Sequence, residues 1–216
     1  MQKTLLCLAL AAAPFLSHAA ESNGIDYNFA ELGYVYNDSE FDMQGFRLRG
    51  SIAVGERWFI ATSYSREKID NWGGHNSVDE FQLGGGFIKP MNRADWVTQA
   101  AWIRSDANLH LAQFELDDVF EGTDVVVPDR IRDHVTGFSV STGIRGLLGD
   151  KLLGHAYLGY VDFSDIRLTT NEFRLDGDVY TDLGLEYRFN DTWGMTGSVM
   201  LVNGRTEYTA GLRTTF

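Results

Sequence analysis

The 216-residue chain carries 18 Lys and Arg against 30 Asp and Glu, a formal net charge of −12 that argues against nucleic acid as a partner. Its 23 glycines, 3 prolines and 28 aromatic residues suit a sheet in which every backbone N–H is paired. Beyond the N-terminus no stretch is apolar for 18 residues, which excludes a helical membrane span, and the single cysteine, Cys7, excludes an internal disulfide.

The first element in chain order is an export signal. Lys3 gives a positive start, Leu5 to Phe15 is apolar, and Ser17-His18-Ala19 places small residues at −3 and −1 of a cleavage site. Length argues against an uncleaved anchor, since residues 5–15 reach only about 16 Å at ~1.5 Å per residue, half a bilayer core. Export through the Sec pathway is expected, with cleavage after Ala19 and Ala20 as the alternative. Cys7 follows Leu6 near the start of the signal and is not placed for lipidation. Losing Lys3 takes the net charge to −13 and leaves one domain over residues 20–216 without cysteine.

Period-two alternation then predicts strands near 25–36, 44–54, 58–69, 79–89, 96–105, 134–147, 152–163, 179–189, 193–202 and 207–216. The clearest sets Val179, Thr181, Leu183, Leu185, Tyr187 and Phe189 against Tyr180, Asp182, Gly184, Glu186 and Arg188. Phe46, Leu48, Gly50, Ile52 and Val54 alternate likewise with Arg47, Arg49, Ser51 and Ala53. Strands 96–105 and 152–163 leave their faces undecided.

Connection lengths separate a barrel from a soluble sandwich. Links at 37–43, 70–78, 105–133, 164–177 and 203–206, mostly long, alternate with short ones at 55–57, 90–95, 149–151 and 190–192. That asymmetry is the one of transmembrane barrels, with short periplasmic turns and longer outer loops. The predicted fold is therefore an all-β, antiparallel, up-and-down transmembrane barrel of ten strands, eight being the alternative. Aromatic residues fall at two levels: Trp58, Trp96, Trp193, Tyr187, Phe189 and Phe87 beside short turns, and Tyr34, Tyr36, Tyr64 and Trp102 at the opposite strand ends, as membrane interfaces favour. Residues 105–133 contain eight acids and two arginines. They read as a hairpin extending two strands outward, with Pro128 at a bulge or edge and a solvated tip; an amphipathic lid helix is the competing reading.

Inward faces carry Glu31, Arg47, Arg49, Glu80, Gln82, Arg145, Glu186 and Arg213. Charges in so narrow a lumen must find partners, so a structural network is expected, with a narrow polar conduit as the alternative. Tyr208, Ala210, Leu212 and the terminal Phe216 form the pattern read by the barrel-assembly machinery, which pairs the last strand by β-augmentation; Thr214 departs from it.

Enzyme signatures are weak. His75-Asn76-Ser77 has the His-x-Ser spacing of a lipid A deacylase but sits in an outer loop. His110 and His134 lie near Asp106 and Asp133 without a second acidic pair. Asp117, Asp118, Glu121 and Asp124 lack EF-hand spacing; they can at most bridge weakly, through Ca²⁺ or Mg²⁺, to lipopolysaccharide phosphates. No catalytic residue, metal site or cofactor is expected.

The chain resembles the small outer-membrane β-barrel family of gammaproteobacteria whose xanthomonad members are described as regulated by a diffusible quorum-sensing signal. The likeness runs in order through Ala30-Glu31-Leu32-Gly33-Tyr34-Val35, Leu48-Arg49-Gly50-Ser51, Thr62-Ser63-Tyr64-Ser65-Arg66 and Gly143-Ile144-Arg145-Gly146. It continues through Leu185-Glu186-Tyr187-Arg188-Phe189-Asn190, Thr192-Trp193-Gly194 and Tyr208-Thr209-Ala210-Gly211-Leu212-Arg213. The 105–133 connection is longer than the family's usual loop. The resemblance implies an outer-membrane barrel, no defined catalysis and no particular ligand. The expected function is a non-enzymatic envelope role through extracellular loops, with a narrow pore as first alternative and a lipid A-modifying enzyme as second. Expected partners are outer-membrane lipid and lipopolysaccharide, the assembly machinery, and periplasmic chaperones in transit, for a monomer.

Overall fold

A computed structural model of the chain describes residues 24–39, 42–69, 76–110, 130–164, 166–168, 171–173 and 177–216. The export signal at 1–19, His75, and the acidic tip with Pro128 lie outside the described residues.

The strands are β1 (Phe29–Asp38), β2 (Met43–Val54), β3 (Trp58–Ile69), β4 (Ser77–Pro90), β5 (Ala94–His110), β6 (Arg130–Leu147) and β7 (Leu152–Phe163). A short hairpin of β8 (Ile166–Leu168) and β9 (Asn171–Phe173) follows, then β10 (Asp178–Arg188), β11 (Trp193–Val202) and β12 (Arg205–Thr215). Ten of these close an antiparallel up-and-down barrel in the order β1-β12-β11-β10-β7-β6-β5-β4-β3-β2. The seam pairs Phe29 with Thr215 and Asp38 with Thr206, so the described barrel wall has no open edge.

Two departures from the sequence reading have physical causes, and the hairpin read for 105–133 is met at its described ends. The first strand begins at Phe29 and not at residue 25, because Ile25 to Asn28 leave the wall and fold beneath the lumen. The 105–133 link begins and ends as strand, pairing Leu109 with Ile131 and His110 with Arg130, so the described ends of this segment form a hairpin. The hairpin β8–β9 was not predicted; three-residue strands are too short to show alternation.

Turn chemistry fixes the register. Gly55 between β2 and β3, and Gly204 between β11 and β12, have φ of 72° and 76°, a region costly for a residue with a Cβ. Asn203-Gly204 thus joins Val202 to Arg205 by a two-residue turn. At the β10–β11 turn, Asn190 Oδ1 accepts from the Thr192 and Trp193 amides at 2.9 and 2.8 Å.

The barrel inverts the polarity of a soluble protein. Leu32, Leu48, Ile60, Leu83, Val140, Leu158, Leu183, Leu185 and Leu212 all point outward and are exposed. Near the outer strand ends an aromatic ring runs around seven strands. Register pairs Tyr34 with Phe46, Tyr64 with Phe81 and Trp102 with Phe138. Between those pairs, Phe46 contacts Tyr64, Phe81 contacts Trp102 and Phe138 contacts Tyr160, with ring centroids 6.0 to 6.3 Å apart. The two-residue steps at alternate seams follow the tilt of barrel strands.

Candidate functional site: the barrel lumen

The lumen has a floor, a charged belt and an outer cup. Ile25 and Tyr27, from the segment ahead of β1, pack against Ala53, Phe59, Ile88, Val97 and Leu153 at the short-turn end. The Tyr27 ring stacks on Phe59 at 5.4 Å. Its hydroxyl donates to Asp95 Oδ2 at 3.0 Å, and Asp95 is 0% exposed. The Arg145 guanidinium lies 5.1 Å over the Tyr27 ring and donates to the Asp26 carbonyl at 3.1 Å. Arg188 donates to the Gly24 carbonyl at 2.9 Å. Asn28 Oδ1 accepts from the Ala53 amide at 2.9 Å, and its carbonyl accepts from the Phe216 amide at 3.2 Å. Apolar packing and polar ties to β2, β5, β6, β10 and the C-terminus together hold this short segment as a floor.

Next to the floor a belt of ion pairs crosses the barrel. Glu31 accepts from Arg49 Nε at 2.8 Å and from Arg213 Nε and Nη2 at 2.9 and 2.7 Å. Arg213 Nη1 donates to Glu186 Oε2 at 2.6 Å, where Arg145 Nη2 also donates at 3.1 Å. Arg188 takes the other Glu186 oxygen at 3.2 Å. The Phe29 ring lies 4.0 Å from the Arg213 guanidinium carbon. Pairing of this density is what permits charges in so dry a place.

Farther out, Arg47 forms a bidentate pair with Glu207, one arm at 2.7 Å, and lies 3.7 Å from Glu67. Glu80 also acts on Arg47 electrostatically, although its own hydrogen bond comes from Gln82 Nε2 at 2.8 Å. A cavity of about 650 Å³ runs from the inner faces of the floor and belt, where Tyr27, Phe59, Arg49 and Arg213 line it, to Asn37, Arg47, Glu67 and Glu80 farther out.

Glycines make these large inward side chains fit. A Cβ at Gly86 would stand 2.5 Å from the Phe59 ring, and one at Gly143 would stand 2.7 Å from the Tyr157 ring. At Gly159 it would enter the Tyr180 ring, and at Gly184 the His155 ring. Small residues thus face large ones on the neighbouring strand throughout the lumen.

The structure brings Glu31, Arg49, Arg145, Glu186 and Arg213 into one network and places Arg47 and Glu80 in the outer cup. Trp58, Trp96, Trp193, Tyr187 and Phe189 stand exposed on the outside beside the short turns. Tyr208, Ala210, Leu212 and Phe216 are exposed on the outer face of β12 or at its end. That strand is paired along its length with both β1 and β11, so its backbone is fully engaged once the barrel is closed.

The floor residues Ile25, Tyr27 and Asp95, and the cup acids Glu67 and Glu207, were missed in the sequence. Glu207 was within reach, being in phase with Thr209, Gly211 and Arg213. Ile25 and Tyr27 were also in phase with inward Glu31, an apolar signal on a polar face.

Among the described residues the enzyme candidates do not assemble. Asp106 and His134 are register partners on the outside of the barrel, and Arg104 grips Asp106 with two bonds of 3.0 Å. Those bonds hold the Asp106 carboxyl below its usual range. Ser77 is buried, and His75 lies outside the described residues. Among the described residues no His, Cys, Asp and Glu cluster is disposed to hold a metal ion.

A closed, edgeless barrel with an apolar exterior, aromatic rings toward both ends and a charged interior is a transmembrane β-barrel. No protein-family model matches the chain, and no curated protein matches it either. Among solved structures it is similar to the β domain of the Bordetella autotransporter BrkA, with a TM-score of 0.49, 13% identity, and 89% of this chain and 100% of that one covered. It is similar also to Neisserial surface protein A (TM-score 0.46, 12% identity, covering 88% of this chain and 96% of that). A third is the KdgM porin (TM-score 0.44, 12% identity, 86% and 99%). These are likenesses of fold alone.

Proposed function

We propose that the chain is a non-enzymatic outer-membrane barrel, closed to solutes, that works at its outer end through its loops and the mouth of its lumen. The observation that carries this reading is the floor: Ile25 and Tyr27 fill the short-turn end, and the ion-pair belt crosses the lumen next to it. β5 and β6, at 17 and 18 residues, are the longest strands and carry the chain well beyond the aromatic ring on the other side. The outer membrane is the location this reading requires, because bacterial barrels with short periplasmic turns reside there. The resemblance of its short motifs to the diffusible-signal-regulated family is in keeping with an envelope role of this kind.

Planar-bilayer recording of the refolded barrel tests the reading. The intact protein should show no conductance steps above background, and deletion of residues 24–28 should produce them. Steady steps from the intact protein would establish the narrow pore instead. Lipid A extracted with and without the protein should show the same acyl pattern by mass spectrometry; a changed pattern would establish an enzyme.

A further inference from the structure

Beyond the belt the cavity is lined by Glu67, Glu80, Glu207, Asp178 and Asp182 against Arg47 and Arg205, whereas in the belt four guanidinium groups share Glu31 and Glu186. The guanidinium groups of Arg49, Arg145 and Arg213 are committed to Glu31 and Glu186. Around Arg47, by contrast, three carboxylates surround one guanidinium: Glu207 in a bidentate pair, Glu67 at 3.7 Å, and Glu80 within electrostatic reach. Excess carboxylate lining a recess focuses the field and raises the local concentration of cations.

A second feature points to what fills the place. Asn37, opposite Glu207 in the β1–β12 register, lines the cavity and is only 6% exposed, yet its Oδ1 has no hydrogen-bond partner. An orphan acceptor beside surplus carboxylates calls for a donor carrying positive charge and several N–H groups. The cavity of about 650 Å³ admits more than an inorganic ion, and Val78, Ile103, Val161 and Met200 on its wall suit methylene groups.

From this we infer that the outer cup binds a small organic cation bearing primary ammonium groups on an alkyl chain. The ammonium would be shared between Glu80, Glu67 and Asn37 Oδ1, leaving the Arg47–Glu207 pair intact. Such a ligand can arrive free, as an alkyl polyamine, or as a lysine side chain of a peptide. The inference rests on the closed floor, which makes the cup a dead end and not a passage.

Calorimetric titration of the refolded barrel in detergent with spermidine and with a short lysine peptide tests it and separates the two sources. Saturable one-to-one binding of either is expected, about tenfold weaker in Glu80→Gln and in Asn37→Leu. Heat-modifiable gel migration verifies that both variants fold, and Glu67→Gln is a further variant should one of them fail to. The inference is overturned if neither probe binds, if the variants bind as tightly as the parent, or if magnesium chloride at equal ionic strength gives the same isotherm. Conductance recorded on the same samples tells a leaking floor from an empty cup: steps together with variant-sensitive binding overturn only the closed lumen and support the cup.

Discussion

Glu31→Gln is the most direct trial of the belt. Glu31 is 3% exposed and receives four hydrogen bonds from Arg49 and Arg213. Gln keeps the shape but removes the charge that balances two guanidinium groups. Breaking a buried pair from one side costs about 3–5 kcal/mol, chiefly because the remaining charge is stranded. Two features put the cost at the lower end, about 3 kcal/mol. Arg213 keeps Glu186 at 2.6 Å, and the Arg49 side chain, 24% exposed, can turn toward the cup. The measurement is urea unfolding of the barrel in lipid vesicles, followed by tryptophan fluorescence. Adding Arg49→Gln should recover part of the loss, since residues sharing a network are not additive. A loss under about 1 kcal/mol, the range of exposed surface pairs, would refute the reasoning by showing that the belt is wet.

Further outcomes follow from other layers of the barrel. Leu185→Arg, on the lipid face, should cost roughly 2–4 kcal/mol near the mid-bilayer, while Leu185→Phe should be nearly neutral in the same vesicle assay. Gly159→Ala drives a methyl into the Tyr180 ring and should cost about 1–3 kcal/mol of overpacking, partly recovered by Tyr180→Ala. Tyr27→Phe keeps the floor's apolar volume but takes a donor from fully buried Asp95, and should lower stability by about 1–3 kcal/mol without opening the lumen to ions. Deleting Phe216 should slow insertion by the reconstituted assembly machinery and leave detergent refolding unchanged; equal effects on both would remove the assembly role.

Alternation exposed the wall wherever one face of a strand is polar and the other meets lipid. On β10 the row from Val179 to Phe189 and the row from Tyr180 to Arg188 are so unlike that the faces could be assigned by inspection. β5 and β7 resisted for a physical reason: Val97, Ile103, Leu153, Tyr157 and Val161 are inward and mostly apolar, so both faces of each strand are greasy. The same apolar interior hid the floor, since Ile25 and Tyr27 prolong the phase of β1 and look like two more wall residues. Inward charges were readable singly, but their partners were not. Arg47 and Glu207 stand 160 residues apart, and only closure of β1 on β12 brings them together.

The layering of the lumen ties these features to one another. An apolar floor keeps water at the short-turn end from the belt, which raises the value of each ion pair and the cost of any unmatched charge. The belt's four guanidinium groups are therefore held by hydrogen bonds to Glu31, Glu186 and the carbonyls of Gly24 and Asp26. Both carbonyls belong to the floor segment, so belt and floor fasten one another. The cup is under no such constraint, because water reaches it from the outer mouth. It can hold excess carboxylate and an unpaired amide oxygen within reach of that water. The surplus carboxylates thus sit in the layer that a ligand from outside can enter.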